Sequence, residues 1–203
     1  MRLINTVMLL TSLPIFSVYA KEDSQENIDM SDPTAVYSAV GISLNSEQNV
    51  DISGSVAWDN NQLLVETNNG ANSLGLTYAY MEEGSGLYAE ADINTDLRSY
   101  SVGGVTTLEA TDCLKFYPVA MLGFINDETT EDSTAITTLG TYTRYTIGKG
   151  LHLGLDAFYI LGTQGYDDYA VDAFLGYQYQ RHRLRLGIDQ DEEIELEYKI
   201  AFF

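Results

Sequence analysis

From Val36 to the C-terminus, apolar side chains recur at every second position and form no convincing run at helical spacing. A period of two belongs to strands with two unlike faces, and it leaves little room for amphipathic helices. The longest stripe is Leu151, Leu153, Leu155, Ala157, Tyr159 and Leu161, set against His152, Gly154, Asp156, Phe158 and Ile160. Val36, Val40, Ile42 and Leu44 oppose Tyr37, Ala39, Gly41 and Ser43, and Val50, Ile52, Val56 and Trp58 oppose Asp51, Ser53, Ser55 and Ala57. Leu74, Leu76, Tyr78 and Tyr80 repeat the pattern, as do Ala173, Leu175, Tyr177 and Tyr179. The chain closes with Ile194, Leu196, Tyr198, Ile200 and Phe202 against Glu193, Glu195, Glu197 and Lys199. Between the stripes stand Asn-, Asp- and Gly-rich turns such as Asn68-Asn69-Gly70 and Gly148-Lys149-Gly150.

With the weaker runs included, the pattern predicts twelve antiparallel strands, or ten or eight if weak runs merge. Twelve strands over residues 36–203 leave about 14 residues for each strand and connector, enough for a ~9–11-residue strand and a tight turn. Pro118 falls inside one run and lacks a donor for the ladder, so a bulge is expected there. Composition agrees with an all-β chain. Fifteen tyrosines stand beside one Trp and three Pro, and tyrosine suits strands with a half-wet face. The 30 acidic against 10 basic residues, a net charge of −20, disfavour nucleic acid as a partner. The single cysteine excludes an internal disulfide and any cysteine-cluster metal site.

The first twenty residues read as a signal peptide. Arg2 supplies the positive start, Leu3 to Phe16 is mostly apolar, and Ser17-Val18-Tyr19-Ala20 offers a cleavage site after Ala20. The apolar stretch would reach only about 21 Å as a helix, short of a ~30 Å membrane core. Residues 21–35 are acidic and poor in apolar residues, which predicts a flexible N-terminal tail ahead of a single barrel domain at 36–203.

Alternation alone fits a soluble sandwich with its apolar face inward. Here the face opposite the stripes mixes Gly, Ala and Ser with charges of both signs and large aromatics, as the lumen of a barrel would. The apolar stripes carry no charge, as a lipid-facing surface requires, and tyrosines gather near strand ends as an interfacial girdle. The terminal segment Glu195-Leu196-Glu197-Tyr198-Lys199-Ile200-Ala201-Phe202-Phe203 resembles the last strand of bacterial outer-membrane β-barrels, although Phe203 is out of phase and Phe202 in phase with the apolar positions. The resemblance implies an antiparallel up-and-down transmembrane barrel in the outer membrane. It also implies lipid as its surroundings and insertion by the barrel-assembly machinery through the last strand.

By parity, Asp51, Glu66, Glu90, Asp92, Lys115, Arg144, Asp156, Asp172, Arg183 and Arg185 point into the lumen, with Glu193, Glu195, Glu197 and Lys199 on the final strand. Pairing among them would plug the barrel; an excess of acids would favour cations. No cofactor, metal or catalytic residue is expected. His152 and Asp156 lie about 13 Å apart along one strand, too far for a hydrogen bond, and no Gly-x-Ser-x-Gly motif accompanies them. His182 lies in a turn, the acidic connectors lack calcium-loop spacing, and Cys113 has no partner. The first functional expectation is a narrow cation-preferring channel for small polar solutes. The alternative is a non-conducting barrel acting as an adhesin, surface-interaction or structural protein.

Charge pairing makes one geometric expectation sharp. In the final hairpin, a register whose paired residue numbers sum to 380 sets Arg185 against Glu195 and Arg183 against Glu197. A sum of 382 sets Arg183 against Lys199 and Asp189 against Glu193. Opposed unlike charges favour the first.

Overall fold

The computed structural model describes residues 28–130 and 132–202. The predicted signal peptide, residues 21–27 and Phe203 lie outside them. Strands form where the alternation predicts: β1 (Ser38–Asn45), β2 (Val50–Trp58), β3 (Asn61–Asn68), β4 (Ser73–Glu82), β5 (Ser85–Asn94), β6 (Leu97–Thr106), β7 (Leu108–Thr111), β8 (Leu114–Asp127), β9 (Asp132–Gly148), β10 (Leu151–Gly162), β11 (Asp167–Tyr179), β12 (His182–Asp189) and β13 (Ile194–Phe202). Each pairs antiparallel with its sequence neighbours, except that β6 and β7 both pair with β8. β1 pairs with β13, from Ser38↔Phe202 to Asn45↔Glu195, and closes the ring. β6 and β7 are two halves of one stave, so the barrel has twelve staves. Its first stave begins at Ser38, two residues later than the alternation suggests.

Outward positions are the apolar stripes: Ile52, Val102 and Leu122 are each 60% exposed or more. Inward positions are buried, among them Ala39, Met81, Tyr88, Tyr117, Met121, Phe174 and Ala201. Such inside-out burial is what lipid surroundings demand, because a hydrocarbon phase replaces the hydrophobic core as solvent for the apolar face. Trp58, Tyr78, Tyr80, Tyr145, Tyr177 and Tyr179 lie outward near the end that carries the termini, and Tyr159 and Tyr169 near the other. Phe202 is in register with Ser38 and faces outward.

The five connections at the termini end have two residues each. Glu83-Gly84 (φ 51° and 76°) and Lys149-Gly150 (φ 53° and 81°) are left-handed at both positions, the conformation that matches strand twist in two-residue hairpins. Five of the six connections at the far end have four residues.

Two local expectations fail. Pro118 makes no bulge: β8 stays in register with β9 through Pro118↔Thr141. The interruption falls on the other side instead, where β6 ends at Thr106 and Thr107 turns its N–H to the Gly84 carbonyl at 2.8 Å. Proline's missing donor is accommodated by breaking the neighbouring stave. The final hairpin also takes the sum of 382, with Arg183↔Lys199, Arg185↔Glu197 and Ile188↔Ile194. Here turn chemistry outweighs facing charges. The Asp189 carboxylate accepts the N–H groups of Asp191 and Glu193, both at 2.9 Å, and Glu192 adopts φ 64°. This self-capped turn requires Asp189 opposite Glu193, and Asp189 answers by aiming its charge at backbone donors. Leu184, Leu186 and Ile188 nevertheless face outward beside Ile194, Leu196 and Tyr198, because both registers keep the same parity.

Substituting Leu186→Arg in the middle of the outward face should lower the stability of the barrel in lipid by about 2–4 kcal/mol. Urea titration of protein refolded into vesicles reads this. An unchanged midpoint would show that the face does not meet hydrocarbon.

Candidate functional site: a lumen with segregated charge and an occupied mouth

The inward side chains are not a random mixture of signs. On the wall formed by β9 to β13, every inward arginine and lysine finds an acid. Arg144 of β9 grips Asp156 of β10 with both terminal nitrogens, the longer contact being 3.2 Å. Arg185 of β12 pairs with Asp172 of β11. Glu197 of β13 is a hub, with Lys199 Nζ at 3.3 Å, Arg185 Nη1 at 3.7 Å and Arg183 Nη2 at 3.9 Å. The facing of Arg183 and Lys199 is therefore tolerable. Both side chains are long enough to bend toward the same carboxylate, which is the next inward position along β13, opposite Arg185.

Aromatic rings and glycines make room for this network. The Phe174 ring lies flat over Gly154 on the neighbouring strand, and His152 lies over Gly176; a Cβ at either glycine would collide with the ring. Phe174 is sandwiched between the Arg144 and Arg185 guanidinium groups, whose centres are 4.7 and 4.2 Å from its centroid. Such cation–π stacking holds two like charges apart and orients each toward its own carboxylate. Nothing in the alternation singles out Phe174, because the signal lies in its glycine neighbour across the strand.

The opposite wall is acidic. Glu66 of β3 and Glu90 and Asp92 of β5 make no ion pair or side-chain hydrogen bond among the described residues, nor does Glu195 of β13. Glu66 and Asp92 share a level, each paired with Gly75. The Glu66 side chain leans across that glycine, whose Cβ would stand 3.0 Å from Glu66 Cγ. The remaining predicted lumen charges sit at the rims. Asp51 accepts the N–H groups of Gly70 and Ala71 at 3.0 and 3.2 Å and so fixes the β3–β4 turn. Lys115, at the termini end, pairs with Glu109 at 2.9 Å. Glu193 lies in the far turn ahead of β13 and accepts Asn45 Nδ2 at 3.3 Å. Desolvation, together with the charges of Glu47, Asp189 and Asp191, raises the Glu193 carboxyl above the ordinary carboxylate range.

The expected flexible tail is the largest departure. Residues 28–37 turn back into the barrel mouth at the termini end, where Met30 is 2% exposed and Ser31 and Thr34 are buried. Two successive turns shape the segment: Asp29 accepts the Ser31 N–H at 2.9 Å and Asp32 that of Thr34 at 2.8 Å. Arg144 Nε donates to the Ser31 carbonyl at 2.7 Å and Arg183 Nη1 to the Met30 carbonyl at 2.5 Å. Val36, grouped by parity with the outward stripe, instead packs on the inward cluster of Met81, Tyr88, Tyr117 and Met121. The low apolar content suggested disorder because the segment's partners are polar and lie far away in the sequence. Its one legible sign was Asp29-Met30-Ser31-Asp32-Pro33-Thr34, two Asp residues each two positions before a hydroxyl residue.

His152 and Asp156 do not form an acid–base pair, since Asp156 belongs to Arg144 and His152 Nε2 is buried with no partner among the described residues. Among the same residues no group of three or more His, Cys, Asp or Glu side chains could hold a metal ion.

Comparison with solved structures identifies the architecture. The NanC porin superposes with a TM-score of 0.59 at 12% identity, over 82% of this chain and 99% of that one. The KdgM porin, solved in complex with disordered oligogalacturonate, gives 0.58 at 14% identity over 83% and 100%. An outer-membrane channel from Pseudomonas putida F1 gives 0.50 at 10% identity over 90% and 100%. The chain has the fold of an outer-membrane porin-like barrel. No family model and no curated sequence matches it.

Replacing Asp156 by Ala should destabilise the barrel by about 3–5 kcal/mol, because Arg144 would stay buried without its acid. Replacing both residues by Ala should restore part of that loss. Refolding titrations of the two variants test this, and a double variant weaker than the single one would refute the pairing account.

Proposed function

We propose that the protein is an outer-membrane channel whose lumen prefers cations. The observation that carries this reading is the set of unpaired inward carboxylates, Glu66, Glu90 and Asp92 on one wall and Glu195 on β13, in a barrel whose inward lysines and arginines are already paired. Charges inside a low-dielectric wall act on a passing ion more strongly than charges on an open surface, so the unpaired ones set the sign of the field. The acidic turns at the far end add to it. A porin of similar fold was solved with oligogalacturonate, an acidic sugar chain. The acid-rich wall here favours small cations or neutral polar solutes over such a cargo.

Placement in the outer membrane, with lipid around the apolar stripes, is supported by the inside-out burial. Termini-side connections shorter than the far ones match an orientation with the termini toward the periplasm. The barrel-assembly machinery would insert the chain through β13. A second reading is favoured by the segment at residues 28–37: a barrel whose mouth stays filled conducts nothing and serves as a structural or surface protein.

The mature protein in a planar bilayer under a KCl gradient should give a reversal potential of cation-selective sign. Glu66→Gln combined with Asp92→Asn should reduce that selectivity by several fold. Anion selectivity would overturn the charge assignment, and a bilayer that stays silent even with residues 28–35 removed would favour the second reading. Heat-modifiable gel mobility in the outer-membrane fraction is expected in either case; a soluble periplasmic band would remove both readings.

A further inference from the structure

We propose that residues 28–37 are a displaceable stopper that closes the termini-side mouth and must leave for the barrel to conduct, an inference resting on the channel reading above. The segment crosses the mouth from wall to wall. At its C-terminal end the Tyr37 carbonyl accepts Ser55 Oγ of β2 at 2.9 Å and Gln62 Nε2 of β3 at 2.7 Å. In its middle the Pro33 carbonyl accepts the Tyr88 hydroxyl of β5 at 2.5 Å. Its N-terminal end reaches the opposite wall. There Gln178 of β11 brackets it, accepting the Met30 N–H at 2.8 Å and donating to the Ile28 carbonyl at 2.6 Å. Arg144 and Arg183 complete the ring of anchors.

The segment is held in a manner suited to release. It adds no strand to the wall, so leaving breaks no ladder. The barrel groups that hold it are side chains, and the two charged ones keep an acid after it departs, Asp156 for Arg144 and Glu197 for Arg183. Release therefore leaves no orphaned charge in the lumen. Space for passage also lies where the segment lies. On one side of it stands the bulky cluster of Met81, Tyr88, Tyr117 and Met121; on the other the small Ala39, Ser53 and Ser55 stand among the longer Gln62, Arg183 and Lys199. A cavity of about 140 Å³ already lies between the segment and that wall.

The test compares conductance of the refolded mature protein with three variants. One is trimmed to begin at residue 36. A second carries the charge-neutral pair Gln178→Ala and Tyr88→Phe, which removes three anchors without altering the lumen field. A third carries Met30→Cys and Gln178→Cys with Cys113→Ser, so that oxidation ties the segment down and reduction frees it. The first two should raise mean conductance by at least about tenfold, the effect of losing a few hydrogen bonds from a two-state equilibrium. The third should be silent when oxidised and conduct when reduced. If the trimmed barrel, shown folded by heat-modifiable mobility, conducts no more than the native one, the stopper is refuted while the channel reading stands. If neither conducts, the channel reading fails and the stopper with it.

Discussion

Closure of the ring between β1 and β13 is the contact on which the rest depends. A strand in hydrocarbon cannot leave its N–H and C=O groups unpaired, so the sheet must have no free edge. Pairing from Ser38↔Phe202 to Asn45↔Glu195 meets that demand and, in doing so, commits one face of every stave to the outside and the other to the interior. Once that division is made, the chain's charges have nowhere to go but the lumen and the rims. The polar network, the glycine positions under the aromatic rings and the occupied mouth are all consequences of forcing polar side chains into a narrow cylinder.

Within that cylinder the charges are arranged by wall and by height. Arg144, Arg183 and Lys199 lie in the half nearer the termini, while Glu66, Asp92 and Glu195 lie in the half nearer the far turns. The basic half holds an acidic N-terminal segment by its backbone carbonyls, and the acidic half has no such filling among the described residues. The same guanidinium groups thus have two duties, pairing with Asp156 and Glu197 and anchoring residues 28–37. The bases of the near half are matched by Asp156 and Glu197, so the sign of the field is left to the unpaired acids of the far half.

The final hairpin shows where pairwise charge reasoning gives out. Opposing Arg183 and Lys199 is unfavourable if each is treated as a fixed point. Both are long flexible chains, and Glu197 lies within reach of each. The strain of the facing pair is therefore small beside the turn at Asp189, whose carboxylate satisfies two backbone donors at once. Pro118 teaches the same lesson in another form. Pro118 has no N–H to give, so a neighbouring carbonyl loses a donor; the ladder lapses at Thr107 between β6 and β7, while β9 stays in register.

The alternation by itself determined the all-β class and, Val36 apart, which side chains face outward, because strand parity is a local property that a register shift of two leaves untouched. It left the stave count at twelve, ten or eight, and ring closure decided for twelve. It also placed most of the lumen charges on the inward face. Pairing of those charges, the role of Phe174 and the fate of residues 28–37 were decided only by the tertiary structure. Each depends on groups brought together from distant parts of the chain: Met30 meets Gln178 and Arg183, and Glu66 comes level with Asp92 across Gly75. A period of two states which face a residue occupies, but it carries no information on what stands across the lumen.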